Sequence, residues 1–267
     1  MYAFTYQRPD SPRKATNAIE KAEDGKYLAG GQTLLPTMKQ RLAAPSTIVD
    51  LSRIDALRGI EMKARNVIIG ALTRHIDVHT SPEIREKIPA LADLAGMIGD
   101  PAVRNKGTIG GSIANNDPAA DYPAACLALN ATIITNKRKI PADEFFVGLF
   151  ETALEEGELI TKVSFPFPAK AAYMKFPNPA SRYALVGVFV AKKGRDVRVA
   201  VTGAGSNGVF RADNFEAALT AKFHSKALEG VKASADGLNT DIHADAEYRA
   251  HLIGVMTRRA VDKANGK

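Results

Sequence analysis

Ala29-Gly30-Gly31-Gln32-Thr33 and Thr108-Ile109-Gly110-Gly111-Ser112 are two stretches of one chain built to the same plan. Each follows residues that read as extended, sets two glycines side by side and closes on a small hydroxyl residue. Paired glycines open backbone dihedrals closed to other residues and let a ligand approach the main chain. The first pair runs into Leu34-Leu35-Pro36-Thr37-Met38-Lys39-Gln40-Arg41-Leu42, which reads as a helix with Thr33 at its N-cap. A helix start leaves N–H groups unpaired at the positive end of its dipole, where phosphate binds. One Gly-Gly pair is usually a turn. Two of them, 80 residues apart in a chain with no P-loop, suggest a dinucleotide clamped from two sides.

Around the first motif the chain alternates: helix from Ala15 to Glu23, strand from Lys26 to Ala29, helix from Thr33 to Leu42, strand from Thr47 to Leu51. That rhythm predicts a small parallel sheet. Beyond Leu57 the pattern shifts to a hairpin, Gly59–Met62 against Asn66–Ala71, then a helix beginning at Arg74 under a Thr73 cap and another from Pro89 to Ile98. The second motif lies in what reads as a long loop. A helix from Pro123 to Leu129, a strand from Ala131 to Thr135, an apolar run from Phe145 to Phe150 and a strand from Glu158 to Pro166 follow. Pro166-Phe167-Pro168-Ala169-Lys170 reads as a linker, since neither proline suits a strand centre. This divides the chain into residues 1–168 and 169–267. In the second part Tyr183–Lys192 and Asp196–Thr202 read as paired strands, and Phe215–Leu219, Ser225–Lys232 and Ala246–Val261 as helices. The predicted class is α+β.

Composition limits the possibilities. Hydrophobic residues make up 45% and charged residues 24%, as in an ordinary globular protein, and no apolar run is long enough to span a bilayer. The opening Met1-Tyr2-Ala3-Phe4-Thr5-Tyr6 does not read as a signal peptide, so the cytoplasm is the expected compartment. The net charge of +7 is spread among acidic stretches without an aromatic ladder, which argues against nucleic acid and for acidic cofactors or partner subunits. A single cysteine, Cys126, cannot make an intramolecular disulfide or ligate an iron–sulfur cluster, and it reads as a small core residue.

Other motifs have plainer readings. Gly203-Ala204-Gly205-Ser206-Asn207-Gly208 matches a dinucleotide fingerprint, yet the next helix starts too late and no strand with a terminal acid follows. It reads as a strand-to-helix connection. His75 and His79 stand four apart on a predicted helix without a third ligand, the pattern of a solvated face. No Gly-x-Ser-x-Gly elbow is present.

Taken in order, several segments resemble one family. These are Ala29 to Pro36, Ile69-Gly70-Ala71-Leu72-Thr73, the run from Gly99 to Asn115, Asp117-Pro118-Ala119-Ala120-Asp121-Tyr122-Pro123, Gly157-Glu158-Leu159-Ile160 and Pro179-Ala180-Ser181-Arg182-Tyr183-Ala184. Together they resemble the FAD-binding medium subunit of molybdenum hydroxylases of the CO dehydrogenase and xanthine dehydrogenase type. The resemblance implies an FAD-binding (PCMH-type) domain of two subdomains holding FAD between them, and a smaller α+β C-terminal domain with an antiparallel sheet and helices. It implies that Ala29, Gly30, Gly31, Gln32 and Thr33, with Thr108, Ile109, Gly110, Gly111 and Ser112, bind the FAD pyrophosphate. Asp121 is implied on the flavin side, Tyr183 beside the isoalloxazine ring and Lys175 as a further cofactor contact. Arg182 departs from the aspartate that better-known members carry before that tyrosine. The implied function is electron transfer from [2Fe-2S] clusters to an external acceptor. The implied partners are an iron–sulfur small subunit and a molybdopterin large subunit. A stand-alone FAD-dependent oxidase is the alternative.

Overall fold

A computed structural model describes residues 1–267. Strands Thr5–Gln7, Gly25–Leu28 and Thr47–Asp50 form the expected parallel sheet, with Thr47–Asp50 in the middle. Helix Pro12–Glu20, N-capped by the Ser11 side chain, lays Ala15, Ala18 and Ile19 against it, an i, i+3, i+4 face.

A second sheet has five antiparallel strands, ordered Ile60–Met62, Asn66–Gly70, Ile160–Pro166, Thr132–Thr135, Lys139–Pro141. The central strand arrives last in sequence and sets Val163 between Ile69 and Ile133, all three buried. Helices Pro89–Gly96 and Tyr122–Ala128 supply much of the remaining core, and Cys126 is wholly enclosed there.

Beyond Pro166 comes an antiparallel sheet of Lys170–Pro177, Ala184–Lys193, Asp196–Thr202 and Phe210–Arg211. Strand Ala184–Lys193 is buried on both faces. Val186, Val188 and Val190 face the core shared with the long helix Ala246–Ala264, while Phe189 and Ala191 join the core built around Tyr122–Ala128. The period-two alternation of a strand thereby places one segment in two cores. No helix is long and apolar enough to cross a membrane.

Several local expectations are corrected. The helix after the first glycine pair spans only Leu34–Lys39, and Thr33, already in αR dihedrals, makes no side-chain cap. The second motif is not a loop: Ile109–Asn115 is helical, with Thr108 as the cap that accepts from the Gly111 N–H. Thr73 does not cap the next helix, since its hydroxyl bridges the Gly59 N–H and C=O, and Arg74 takes the cap position of His75–Thr80. Pro82 and Pro89 start two short helices, Pro82–Lys87 and Pro89–Gly96. The apolar run at Phe145 breaks into the end of helix Ala142–Phe145 and a hairpin, Phe146–Gly148 with Glu151–Thr152. Only a 3₁₀ turn, Ser225–Leu228, forms in the stretch expected to be a helix to Lys232.

Glu158 fixes the turn into the central strand. Its carboxylate accepts from Thr135 Oγ1 at 2.7 Å, from Arg138 Nε at 3.1 Å and Nη2 at 3.0 Å, and from the Glu155 N–H at 2.8 Å. Burial alone would raise its pKa, but the Arg138 guanidinium and the other donors outweigh burial and hold it down to about 2. A depressed folded-state value means that the stabilisation is complete above the ordinary carboxylate value and is lost as pH falls through that value toward 2. Glu158→Gln is expected to lower stability by ~2 kcal/mol at neutral pH. In thermal melts the gap from wild type should narrow by roughly half near pH 3. A gap independent of pH would contradict this account.

Candidate functional site

The two glycine motifs meet. A Cβ on Gly30 would collide with the Lys106 carbonyl oxygen and stand 2.7 Å from Gly107 Cα, so the first loop lies directly on the residues leading into the second. A Cβ on Gly111 would lie 3.6 Å from Ala29 Cβ. This seam forms one wall of a cleft of about 580 Å³, a volume in the range of small-molecule and cofactor sites. The cleft runs from Tyr27, Glu158 and Leu159 to Asp117, Asp121 and Tyr183.

Of the residues predicted for the site, Ala29, Gly30, Gly31, Gln32, Thr33, Thr108, Gly110, Gly111, Ser112, Asp121 and Tyr183 line this cleft. Two do not. Ile109 is wholly buried and points into the core, and Lys175 stands behind Asp121. Lys175 reaches the site through that carboxylate.

The two glycine loops offer different chemistry. The N–H groups of Gly30, Gly31, Gln32 and Thr33 have no acceptor within the protein, and Gly31 takes a positive φ of 71°. Successive unpaired amides around a left-handed residue make an anion cradle. In the second loop the amides are already engaged. Ile109 N–H donates to Thr73 O at 3.1 Å, Gly110 N–H to Ala71 O at 2.9 Å, Gly111 N–H to Thr108 Oγ1 at 3.2 Å and Ser112 N–H to Thr108 O at 3.0 Å. Gly110 is required by its contact with Ala71, where a Cβ would come within 2.5 Å. This loop therefore presents the bare Gly111 Cα and the Ser112 hydroxyl, not the free amides expected of it. The residues present fit a phosphate-bearing ligand, with the donors concentrated on Gly30–Thr33.

At the other end Asp121 is buried. One carboxylate oxygen accepts from the Tyr173 hydroxyl, and the other pairs with Lys175 Nζ at 2.9 Å. Lys175 also donates to Met97 O at 3.2 Å. Burial pushes the Asp121 carboxyl upward, with the Lys175 ammonium and Tyr173 hydroxyl pulling against it. Tyr173 and Lys175 alternate on strand Lys170–Pro177 and so reach the same carboxylate from one face. Tyr183 stands half exposed at the mouth, on a loop where Asn178 Oδ1 accepts from Ala180 and Ser181 N–H and Arg182 has φ 63°. Burial, then the Asp117 and Asp121 carboxylates, raise its hydroxyl pKa.

Gly203–Gly208 stays outside the cleft, consistent with its reading as a connection. Gly203 N–H donates to Pro118 O at 2.8 Å and Thr202 Oγ1 to Ala120 O at 2.6 Å, so this turn braces the segment carrying Asp121. His75 departs from the solvated face expected of it: it is 4% exposed and lines the cleft. His79 is also turned inward, with Nδ1 2.8 Å from Ala92 O. Tyr27 and Tyr173 escaped sequence reasoning, and His75 was placed by it on a solvated face. Only Tyr173 left a signal, its two-residue spacing from Lys175.

Known proteins match the chain over nearly its whole length. Residues 2–168 match the family model described as FAD binding domain in molybdopterin dehydrogenase, and residues 171–264 match CO dehydrogenase flavoprotein C-terminal domain. The carbon monoxide dehydrogenase medium chain of Hydrogenophaga pseudoflava is 36% identical, with 98% of this chain and 96% of that protein covered. The glyceraldehyde dehydrogenase medium chain of Sulfolobus acidocaldarius is 35% identical, covering 96% of each. A solved carbon monoxide dehydrogenase from Hydrogenophaga pseudoflava superimposes with a TM-score of 0.91 over 99% of this chain and 98% of that one.

The glycine geometry separates two substitutions. Gly30→Ala must push the loops apart and is expected to cost ~2 kcal/mol, a fall of several degrees in melting temperature. Gly111→Ala meets no backbone, only the Thr108 Oγ1 at 3.0 Å and the Ala29 methyl at an ordinary 3.6 Å, and is expected to melt within about 2 degrees of wild type. Equal destabilisation by the two, measured calorimetrically, would refute the close approach at Gly30.

Proposed function

Because the chain belongs to the FAD-binding medium-subunit family of the molybdenum hydroxylases, we propose that it passes electrons between other subunits and an external acceptor by way of FAD held in this cleft. The donors are [2Fe-2S] clusters on a small partner subunit, and a molybdopterin large subunit completes a complex working in the cytoplasm. The observation that carries this reading is the single cleft that joins a cradle of free amides, Gly30–Thr33, to a half-exposed mouth at Tyr183. FAD supplies, when bound, the capacity to take electrons singly and deliver them singly or in pairs.

The chain's own residues bind and orient. The amides of Gly30, Gly31, Gln32 and Thr33 would anchor the pyrophosphate, and the bare Gly111 Cα would let it lie close to the seam. Asp121, neutralised by Lys175 and oriented by Tyr173, presents a fixed carboxylate to the flavin end without adding net charge there. Tyr183, half exposed at the mouth, would lie beside the ring and leave the mouth open to a partner. One cysteine in 267 residues leaves the cluster ligands to another chain.

Purified alone, the chain is expected to retain FAD yet hydroxylate neither purines nor aldehydes and to oxidise no CO. With both partner subunits co-expressed, substrate should bleach the flavin absorbance and activity should appear. Substrate turnover by the single chain in the absence of molybdenum would overturn the subunit reading and favour a stand-alone oxidase.

A further inference from the structure

Beneath the glycine seam lies a histidine that the proposed electron-transfer role does not use. The His75 backbone N–H donates to Gly107 O at 3.0 Å, and Arg74 bridges Thr108 across the same antiparallel contact. This pins the side chain under the entrance to the second motif. Its Nε2 abuts Gly107, where a Cβ would come within 2.5 Å. Gly107 is also the residue on which Gly30 rests, so the imidazole sits where the two loops converge.

The two ring nitrogens have different surroundings. Nδ1 is fully enclosed and has no hydrogen-bond partner. Nε2 likewise has no partner within the protein but is not enclosed, so it is the nitrogen that opens on the cleft His75 lines. The Tyr122 ring packs on the imidazole at 5.4 Å between centroids, and its hydroxyl is also enclosed and unpartnered. A neutral imidazole carries one donor and one acceptor. Burying a donor without an acceptor is the rarer and costlier arrangement, so the proton belongs on Nε2 and the lone pair on Nδ1. Burial, then the nearby Arg104 cation, lowers the pKa of His75 to about 4, so the ring stays neutral at physiological pH.

We propose that His75, carrying its proton on Nε2, donates a hydrogen bond to a pyrophosphate oxygen held where the two glycine loops meet. This rests on the reading of the cleft as an FAD site and adds to it a side-chain donor beside the Gly30–Thr33 amides. The second loop, whose own amides are engaged, would then contribute to the anion through the histidine packed beneath it.

The test titrates FAD and ADP, which share the pyrophosphate, into apo-protein of wild type, His75→Phe and His75→Gln. Phenylalanine keeps the ring packed on Tyr122 and removes the donor, whereas the glutamine amide can place an N–H near the Nε2 position. His75→Phe is expected to weaken both ligands about 10-fold, and His75→Gln to stay within about 3-fold of wild type. Long-range ¹⁵N spectra of the wild-type histidine should show a neutral ring protonated on Nε2, a readout that holds even if a variant fails to fold. Unchanged binding by His75→Phe, weakened FAD with unchanged ADP, or a proton on Nδ1 would each overturn the assignment. Wild-type protein that binds neither ligand would instead overturn the reading of the cleft itself, and this assignment with it.

Discussion

Asp121 is the anchor on which the cleft depends. Its carboxylate is held from the far side of the molecule by Lys175 and Tyr173, neighbours-but-one on a strand of the C-terminal sheet. A buried ion pair adds little net stability over a well-packed apolar contact, but removing either partner leaves a buried charge and costs about 3–5 kcal/mol. Such a contact enforces arrangement more than it strengthens it. The cleft has walls from residues far apart in sequence, and their relative position is set where a carboxylate, an ammonium and a phenol must coincide. Thr202 and Gly203 reinforce this by hydrogen bonding to the backbone just before Asp121.

The glycines show how one residue type answers several physical demands. Gly31 is required by its dihedral, Gly30 by the backbone pressed against it, and Gly110 by the neighbouring Ala71. Gly111 is the least confined of the four, with the Thr108 hydroxyl 3.0 Å from where a Cβ would stand. A motif that looks duplicated is thus two unlike loops, one supplying donors and the other supplying shape.

This difference marks how far the chain could be read in advance. The two motifs were legible because each sets paired glycines after an extended segment and before a hydroxyl residue, and the parallel sheet was legible from local periodicity. The state of the amides was not, because it depends on whether Ala71 and Thr73 lie beneath them, a contact spanning nearly 40 residues. His75 was misjudged for the same reason. Its burial follows from the Arg74–Thr108 bridge, which sets the start of the helix against a segment more than 30 residues away. Thr33 and Thr73 both looked like caps, yet cap formation needs an extended dihedral and a free hydroxyl, and each residue lacks one of these. Ile160–Pro166 is visible as a strand, but its place between two earlier strands is a property of the whole fold.

Strand Ala184–Lys193 has a consequence for how the molecule comes apart. Because its two faces belong to different cores, a loss of order in one exposes apolar surface in the other. The proline-rich connection at Pro166–Lys170 is therefore a joint in the covalent chain without being a joint in cooperativity. Removing everything beyond it would leave helix Tyr122–Ala128 without the Phe189 and Ala191 surface that covers it, a sticky face and not a free-standing module. The segment beyond that connection can be exchanged only for another that presents the same apolar stripe.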